Sequence, residues 1–523
     1  MLRWPWAVLS AAVGGLILWC AFAPVSAPLL AVPGMAAILA ACWRAGVWRG
    51  LLSGFLSGLF FFLPLLSWMH IIGVDAWIAL SIFCALWWGL MGMGLALVTR
   101  LPGAVLWAAC VVVLQEALRG RIPWGGFPWG NLAFSAPGGP MLGWSTWLGS
   151  AGLSFVIALA GAAVVQIADL LVHRPRRPRA WWTAMALGGF TLILVFAGAA
   201  IPSAPAGERS SVVAIIQGGT PQLGMGAMDV RRAVLDNHVE QTRLLAREVA
   251  AGRQPQPDVV VWPENASDID PLADPSAALA ISAAARAIGA PILVGAVLEP
   301  PQDPQGLWNA GIVWNPKTGP GAVYVKTHPV PFGEYIPFRE QVSHLIGRFD
   351  RIPRDFRSGA APGILPIGGV TVGDVICFEV AYDDVIRAVV DGGAQLITVQ
   401  TNNATYGGTA QPDQQFAIER LRARETGRTV VVASTTGISG IIRADGTADH
   451  VMPQGDVGSR VTQVTVSDSR TAGSVLGPWS ELVACVFAVV AVIIGAGMSR
   501  AARRRRGGQP ASSGESAAPY GIA

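Results

Sequence analysis

Thr371-Val-Gly-Asp-Val-Ile-Cys-Phe-Glu379 opens as a β-branched run (Val372, Val375, Ile376) and breaks at Cys377, Phe378 and Glu379. The run reads as a buried strand, and residues 381–391 beyond it read as a helix. A thiol at such a strand-to-helix turn is held in place by the strand, and the backbone N–H groups that follow can face a developing oxyanion. An inert core thiol is the competing reading, since free cysteine is among the most buried residue types. The choice turns on what the other strand ends carry.

Two upstream stretches have the same form. Val259-Val-Val-Trp-Pro-Glu264 is a strand stopped by Pro263, with a carboxylate just past it. Tyr324-Val-Lys326-Thr-His-Pro-Val-Pro-Phe-Gly-Glu334-Tyr ends a strand on a lysine before a stiff, proline-rich loop. A carboxylate, an ammonium and a thiol at strand ends can converge on one edge of a sheet. Around them, from about 208 to 475, short apolar runs alternate with amphipathic ones. Strands are expected at 212–217, 259–262, 292–297, 312–314, 322–325, 370–376, 396–400, 429–434 and 438–443, and helices at 229–251, 275–289 and 411–427. Alternation of this kind predicts a layered α/β domain.

The rest of the chain has a different texture. Hydrophobic residues make up 52% of the 523 positions and charged residues 13%, with a mean hydropathy of +0.48. Those values exclude an ordinary soluble protein and fit a membrane chain carrying a soluble part. Spans are expected near 7–23, 27–43, 50–68, 76–98, 102–118, 150–172 and 181–201, with an eighth near 481–498. The twenty tryptophans suit interfacial belts. Alternating spans put Arg3, Arg44, Arg49, Arg100, the arginines of 173–179 and those of 500–506 on one side, so both termini are expected in the cytoplasm and the α/β domain outside it. The domains expected are a seven-span membrane part at 1–203, an extracytoplasmic domain at 204–478, a last helix at 479–499 and a basic, then disordered, tail at 500–523.

The loop 119–149 contains Arg119-Gly-Arg-Ile-Pro-Trp-Gly-Gly-Phe-Pro-Trp129-Gly-Asn131. Its Gly, Pro and Trp suggest a rigid, re-entrant or interfacial segment, and Arg119 and Arg121 could hold a lipid phosphate. Six scattered cysteines and six histidines form no CxxC, HExxH or paired framework, so no metal site is expected.

With the flanks Trp262-Pro263-Glu264, Tyr324-Val325-Lys326 and Cys377-Phe378-Glu379, in that order, the outer domain resembles the nitrilase superfamily. That resemblance implies a four-layer α-β-β-α sandwich and a Glu264, Lys326, Cys377 triad. Joined to many spans, the chain further resembles the apolipoprotein N-acyltransferase family. Phe127-Pro-Trp129, the 326–337 stretch, Asn402-Asn403 before a Tyr-Gly loop, and the helix 417–428 support it. Phe378, Thr405-Tyr406 and Gln415 depart from residues common in that family, which bears on lid and lipid selectivity.

The resemblance implies a phospholipid acyl donor, a thioester on Cys377 and a diacylglyceryl-cysteine lipoprotein as acceptor, at the outer face of a bacterial inner membrane. Glu264 would be the base and Lys326, with the Phe378 N–H, the oxyanion partner. Glu334 and Glu379 could orient Lys326 or the thiol, or cap a turn. Trp262, as a pocket wall, with Arg119, Trp129, Asn402 and Tyr406, are the candidates for substrate contact. The reaction so implied needs no cofactor; no nucleic acid is expected as a partner, and a monomer is favoured. The alternatives are a membrane-tethered amidase or nitrilase-type hydrolase and a non-catalytic membrane scaffold.

Overall fold

A computed structural model describes residues 2–173, 178–205, 207, 209–226, 230, 232–342 and 352–507. Seven helices come first: α1 (Trp4–Trp19), α2 (Ala31–Cys42), α3 (Val47–Leu65), α4 (Val74–Val98), α5 (Ala104–Arg119), α6 (Trp144–His173) and α7 (Pro178–Phe196). Among the described residues, five segments are long and apolar enough to cross a membrane: Val47–Leu65, Val74–Val98, Pro140–His173, Pro178–Ala200 and Ala472–Ala501. The other three expected spans fall on shorter helices of 16, 12 and 16 residues. At 1.5 Å per residue these are shorter than the roughly 30 Å of a bilayer core.

Small residues set the packing of the bundle. Gly50, Gly54 and Gly58 form an i, i+4 stripe on α3, and a Cβ on Gly54 would lie 2.2 Å from the Trp88 carbonyl oxygen of α4. Backbones this close leave room for hydrogen alone. At one end of the bundle Arg44 pairs with Asp169 at 3.3 Å and Arg100 donates to the Ala45 carbonyl at 2.9 Å. The opposite end carries the α/β domain.

That domain runs β1 (Arg209–Gln217), α8 (Ala233–Ala250), β2 (Val259–Val261), α9 (Pro275–Ile288), β3 (Ile292–Leu298), β4 (Gly306–Asn315), β5 (Gly319–Val325), α10 (Arg339–Val342), β6 (Asp355–Phe356), β7 (Ile364–Ile367), β8 (Val370–Ile376), α11 (Asp383–Asp391), β9 (Leu396–Thr401), α12 (Gln411–Thr426), β10 (Val430–Ser434), β11 (Ser439–Ile442), β12 (Ala448–Met452) and β13 (Gly458–Val466). The last helix, α13 (Ala472–Gly507), starts ahead of the boundary expected at 479. The helix expected from 229 starts at Ala233, and residue 229 itself lies outside the described residues. So do Arg174, Arg176, Arg177 and the tail from 508.

Two sheets form, in the orders β13-β1-β2-β3-β4-β5, with β6 beside β4, and β12-β11-β10-β9-β8-β7. Each has three parallel strands at its centre, β1-β2-β3 and β8-β9-β10. Period-two side-chain alternation makes the layers. Val213, Ile215, Val259 and Val261 meet Val372, Ile376, Leu396 and Val431 between the sheets. Ala214, Ile216 and Val260 face α8 and α9 on one outer side, while Val375, Ile397, Val399 and Val430 face α11 and α12 on the other. The result is the expected α-β-β-α sandwich.

The second helical layer is continuous with the membrane bundle. Gln414 of α12 joins them: its Oε1 accepts from the indoles of Trp68 and Trp129 at 3.1 and 2.7 Å, and its Nε2 donates to the carbonyls of Ala23 and Leu65 at 3.2 and 3.0 Å. All four hydrogen-bonding positions of this amide are spent on the bundle.

Candidate active site

The parallel strands present their C-terminal ends at one place, where α/β sheets generally expose reactive groups. Cys377 follows β8 directly and adopts a left-handed backbone with φ +56°. That conformation is uncommon for a residue with a Cβ and costs about 1–3 kcal/mol, and it marks a sharp turn into the short helical segment Cys377–Ala381. Glu264 lies beyond the end of β2 at Val261, across Trp262 and Pro263, and Lys326 follows β5.

Lys326 and Glu264 are both buried. The ammonium is 3.3 Å from Glu264 Oε1 and 2.9 Å from Glu334 Oε2. Asn309 of β4 braces both carboxylates, its Nδ2 donating to Glu264 Oε1 at 2.6 Å and Glu334 Oε1 at 2.8 Å. The Asn402 backbone N–H donates to Glu264 Oε2 at 2.7 Å, and that of Val330 to Glu334 Oε2 at 2.6 Å. Every carboxylate oxygen here thus has a fixed direction.

Charge follows from that geometry. Burial raises Glu264, against the lowering effect of Lys326, so its carboxyl binds a proton more readily than an exposed glutamate. Burial alone would lower Lys326, but the carboxylates of Glu334 and Glu264 outweigh it and keep the ammonium charged. The Cys377 thiol is held up by burial and by Glu264, with Lys326 and a hydrogen bond from Thr401 pulling the other way. At rest the site is a neutral thiol beside an ammonium and a carboxylate disposed to take a proton.

Glu379 is fully buried and ties the lysine loop to the nucleophile turn. Its Oε1 accepts from the N–H groups of Thr327 and His328 at 2.7 and 3.0 Å and from the Thr327 hydroxyl at 2.8 Å. Its Oε2 accepts from the Ile376 N–H at 2.9 Å, and the Tyr324 hydroxyl reaches both oxygens at 2.9 Å. The Phe378 ring stacks on Trp129 at 5.3 Å and 6°, and on Phe127 at 5.6 Å. The turn carrying the thiol therefore rests on a loop of the membrane bundle.

Several expected substrate contacts are placed otherwise. Arg119 is wholly buried and donates to the carbonyls of Phe127 and Trp129 at 2.5 and 2.6 Å and to Asn131 Oδ1 at 2.6 Å. It braces the 119–131 loop and has no face for a lipid phosphate, while Arg121 is paired with Glu481 at 2.5 Å. Trp129 is buried and stacked on Phe378. Trp262 packs in the core between the first sheet and α8, its indole donating to Thr242 at 3.0 Å, so it is no pocket wall. Asn402 reaches Glu264 through its backbone. The Tyr406 ring meets Trp68 edge-on at 5.0 Å.

Sequence reading passed over Asn309, Thr401 and Gln415's contact with the thiol. The one available signal was a polar side chain inside an apolar strand, as in Leu307-Trp-Asn309-Ala.

Comparisons with known proteins agree with this architecture. Residues 14–163 match the family profile described as apolipoprotein N-acyltransferase N-terminal domain, and residues 212–467 match carbon-nitrogen hydrolase. An apolipoprotein N-acyltransferase of Mycolicibacterium smegmatis is 38% identical over 459 residues, spanning 84% of this chain and 77% of that protein. One from Methylococcus capsulatus is 28% identical over 500 residues, spanning 92% of this chain and 94% of that protein. One from Gloeobacter violaceus is 28% identical over 529 residues, spanning 95% of both.

Proposed function

The chain belongs to the apolipoprotein N-acyltransferase family, and from that premise we propose that it moves a fatty acyl group from a membrane phospholipid to the α-amino group of a diacylglyceryl-cysteine at a lipoprotein N-terminus. The observation that carries this reading is the buried Glu264–Lys326–Glu334 cluster beside a strained Cys377 whose turn is stacked on the membrane bundle.

In the first half-reaction Glu264 takes the thiol proton as Sγ bonds the ester carbonyl carbon. Lys326 and the Phe378 N–H stabilise the oxyanion, and Glu264 returns the proton to the departing lysophospholipid. In the second, Glu264 takes a proton from the lipoprotein amine as nitrogen attacks the thioester, and the sulfur leaves to recover the thiol. The products are an amide and a resting enzyme, in ping-pong order.

Docking of α12 into the bundle through Gln414 supports a lipid substrate over a small soluble amide, since a mere anchor needs no such joint. The arginine-bearing end of the bundle, with Arg44 and Arg100, lies away from the catalytic domain, which supports placing that domain on the outer face.

The test is an intact mass of detergent-purified protein after incubation with phospholipid, for wild type and Cys377→Ala. One acyl group gained by wild type alone, and discharged by a diacylglyceryl peptide, is expected. A gain discharged only by water would make it a lipid hydrolase, and no gain would overturn the donor.

A further inference from the structure

We propose that Thr401 is a further catalytic residue, whose hydroxyl donates a hydrogen bond to Cys377 Sγ and stabilises the thiolate as Glu264 takes the proton. This rests on the reading of Cys377 as the nucleophile.

Thr401 is the last residue of β9, the strand beside β8, and its Oγ1 lies 3.2 Å from Cys377 Sγ. A hydroxyl has one hydrogen, so its direction decides its use. Gln415 Nε2 donates to Thr401 Oγ1 at 2.9 Å, filling a lone pair and leaving the hydrogen for an acceptor. The other acceptor in reach, Asn403 Oδ1, is farther at 3.4 Å and already receives the Ser434 hydroxyl at 3.2 Å. The sulfur is the nearer and less committed partner.

The Gln415 amide is itself fixed. Its Oε1 accepts from Asn403 Nδ2 at 3.2 Å and Gln411 Nε2 at 3.1 Å, and its Nε2 donates to Glu419 Oε1 at 3.1 Å. A flipped amide would set its –NH₂ against the amide nitrogens of Asn403 and Gln411. A chain of donors thus runs from α12 through Gln415 to Thr401 and ends on the sulfur, within a buried site where such a bond is strong. Of the groups around the thiol, Lys326 and Thr401 favour its ionised form, while burial and the carboxylates of Glu264 and Glu334 oppose it. Lys326 acts as a charge shared with two carboxylates, whereas Thr401 gives its only proton to the sulfur.

The experiment follows alkylation of Cys377 by iodoacetamide in the full-length protein in detergent, from pH 6 to 11, by mass of its peptide. Peptides carrying Cys20 and Cys485 serve as internal references. Thr401→Val is expected to raise the midpoint of the rate profile by about one to two pH units, and Thr401→Ser to restore it. Gln415→Leu, which keeps the hydroxyl but frees it to turn, is expected to shift the midpoint the same way by less, and covers the case in which Thr401→Val does not fold. Unshifted midpoints in the variants that fold overturn the proposal. No lipid is needed, so a shift without any acyl-enzyme would sink the transferase reading alone, and acyl-enzyme without a shift would sink this one alone.

Discussion

Lys326 Nζ and Glu264 Oε1 lie 3.3 Å apart with both side chains buried, so each sets the other's charge. Lys326→Met removes the cation that lowers Glu264 and leaves two carboxylates facing each other. Glu264 must be ionised to act as base, so the acid limb of the pH–rate profile for acyl-enzyme formation moves to higher pH. The plateau falls by roughly 10²–10³ with the loss of an oxyanion partner. An unmoved acid limb would mean that Glu264 is not the base.

Glu264→Gln keeps an oxygen for Lys326 and for the Asn309 amide but cannot take a proton. Single-turnover acylation is expected to slow by roughly 10²–10⁴, and the thermal midpoint to fall as well, since an amide nitrogen would face the Asn402 N–H now bonded to Oε2. Near-normal acylation would assign the base elsewhere.

Glu379→Gln tests the link between the lysine loop and the nucleophile turn. Every present partner of this carboxylate is a donor, and an amide turns its –NH₂ toward some of them. Each charge-assisted bond lost costs about 1.5–3 kcal/mol. Both the thermal midpoint and the acylation rate are expected to fall together. A fall in rate without loss of stability would make Glu379 a direct participant.

The three strand-end residues were legible because their signals are local. A β-branched run stopped by Pro263, or broken at Cys377, says where a strand ends without knowledge of its neighbours. What surrounds them was not legible, because the partners are distant or are backbone carbonyls, which leave no mark in a sequence. Gln414 reaches Ala23, and Asn309 joins two carboxylates from different loops. The strands β7, β12 and β13 escaped notice for a related reason: they lie at sheet edges and are partly exposed, so their patterns are weak. The helices α1, α2 and α5 were legible as apolar but not as short, since apolar loop residues extend their runs.

Arg119 illustrates the same limit and gives a prediction. In sequence it is a cation beside tryptophans, which suggests a headgroup; in the fold it holds the carbonyls of Phe127 and Trp129. Arg119→Met leaves those acceptors unpaired in a buried loop, a cost of about 2–5 kcal/mol. Thermal stability in detergent is expected to drop, and the residual activity to keep the wild-type preference among phospholipid headgroups. A changed preference with unchanged stability would return Arg119 to lipid binding.

Asp374 of β8 gives a stability prediction with a definite sign. It is fully buried between the sheets, its Oδ1 accepts from the Thr398 hydroxyl at 2.9 Å, and among the described residues its Oδ2 has no partner. Gln400 Oε1 is likewise unpartnered among the described residues. Both oxygens crowd Gly311, where a Cβ would meet them at 2.1 and 2.7 Å. Two acceptors in so small a space call for one proton between them, and burial raises Asp374 to about 8. An unfolded aspartate titrates near 3.9. The folded carboxyl therefore keeps a proton that the unfolded chain releases, and its contribution is complete below about pH 4 and lost as pH rises through about 8. Asp374→Asn supplies a permanent donor in the same shape. Relative to wild type, its thermal midpoint should improve steadily from pH 5 to about pH 8 and level off above it. A difference that stays flat across that range would mean that Asp374 is ionised in the folded protein and that Oδ2 has found a donor.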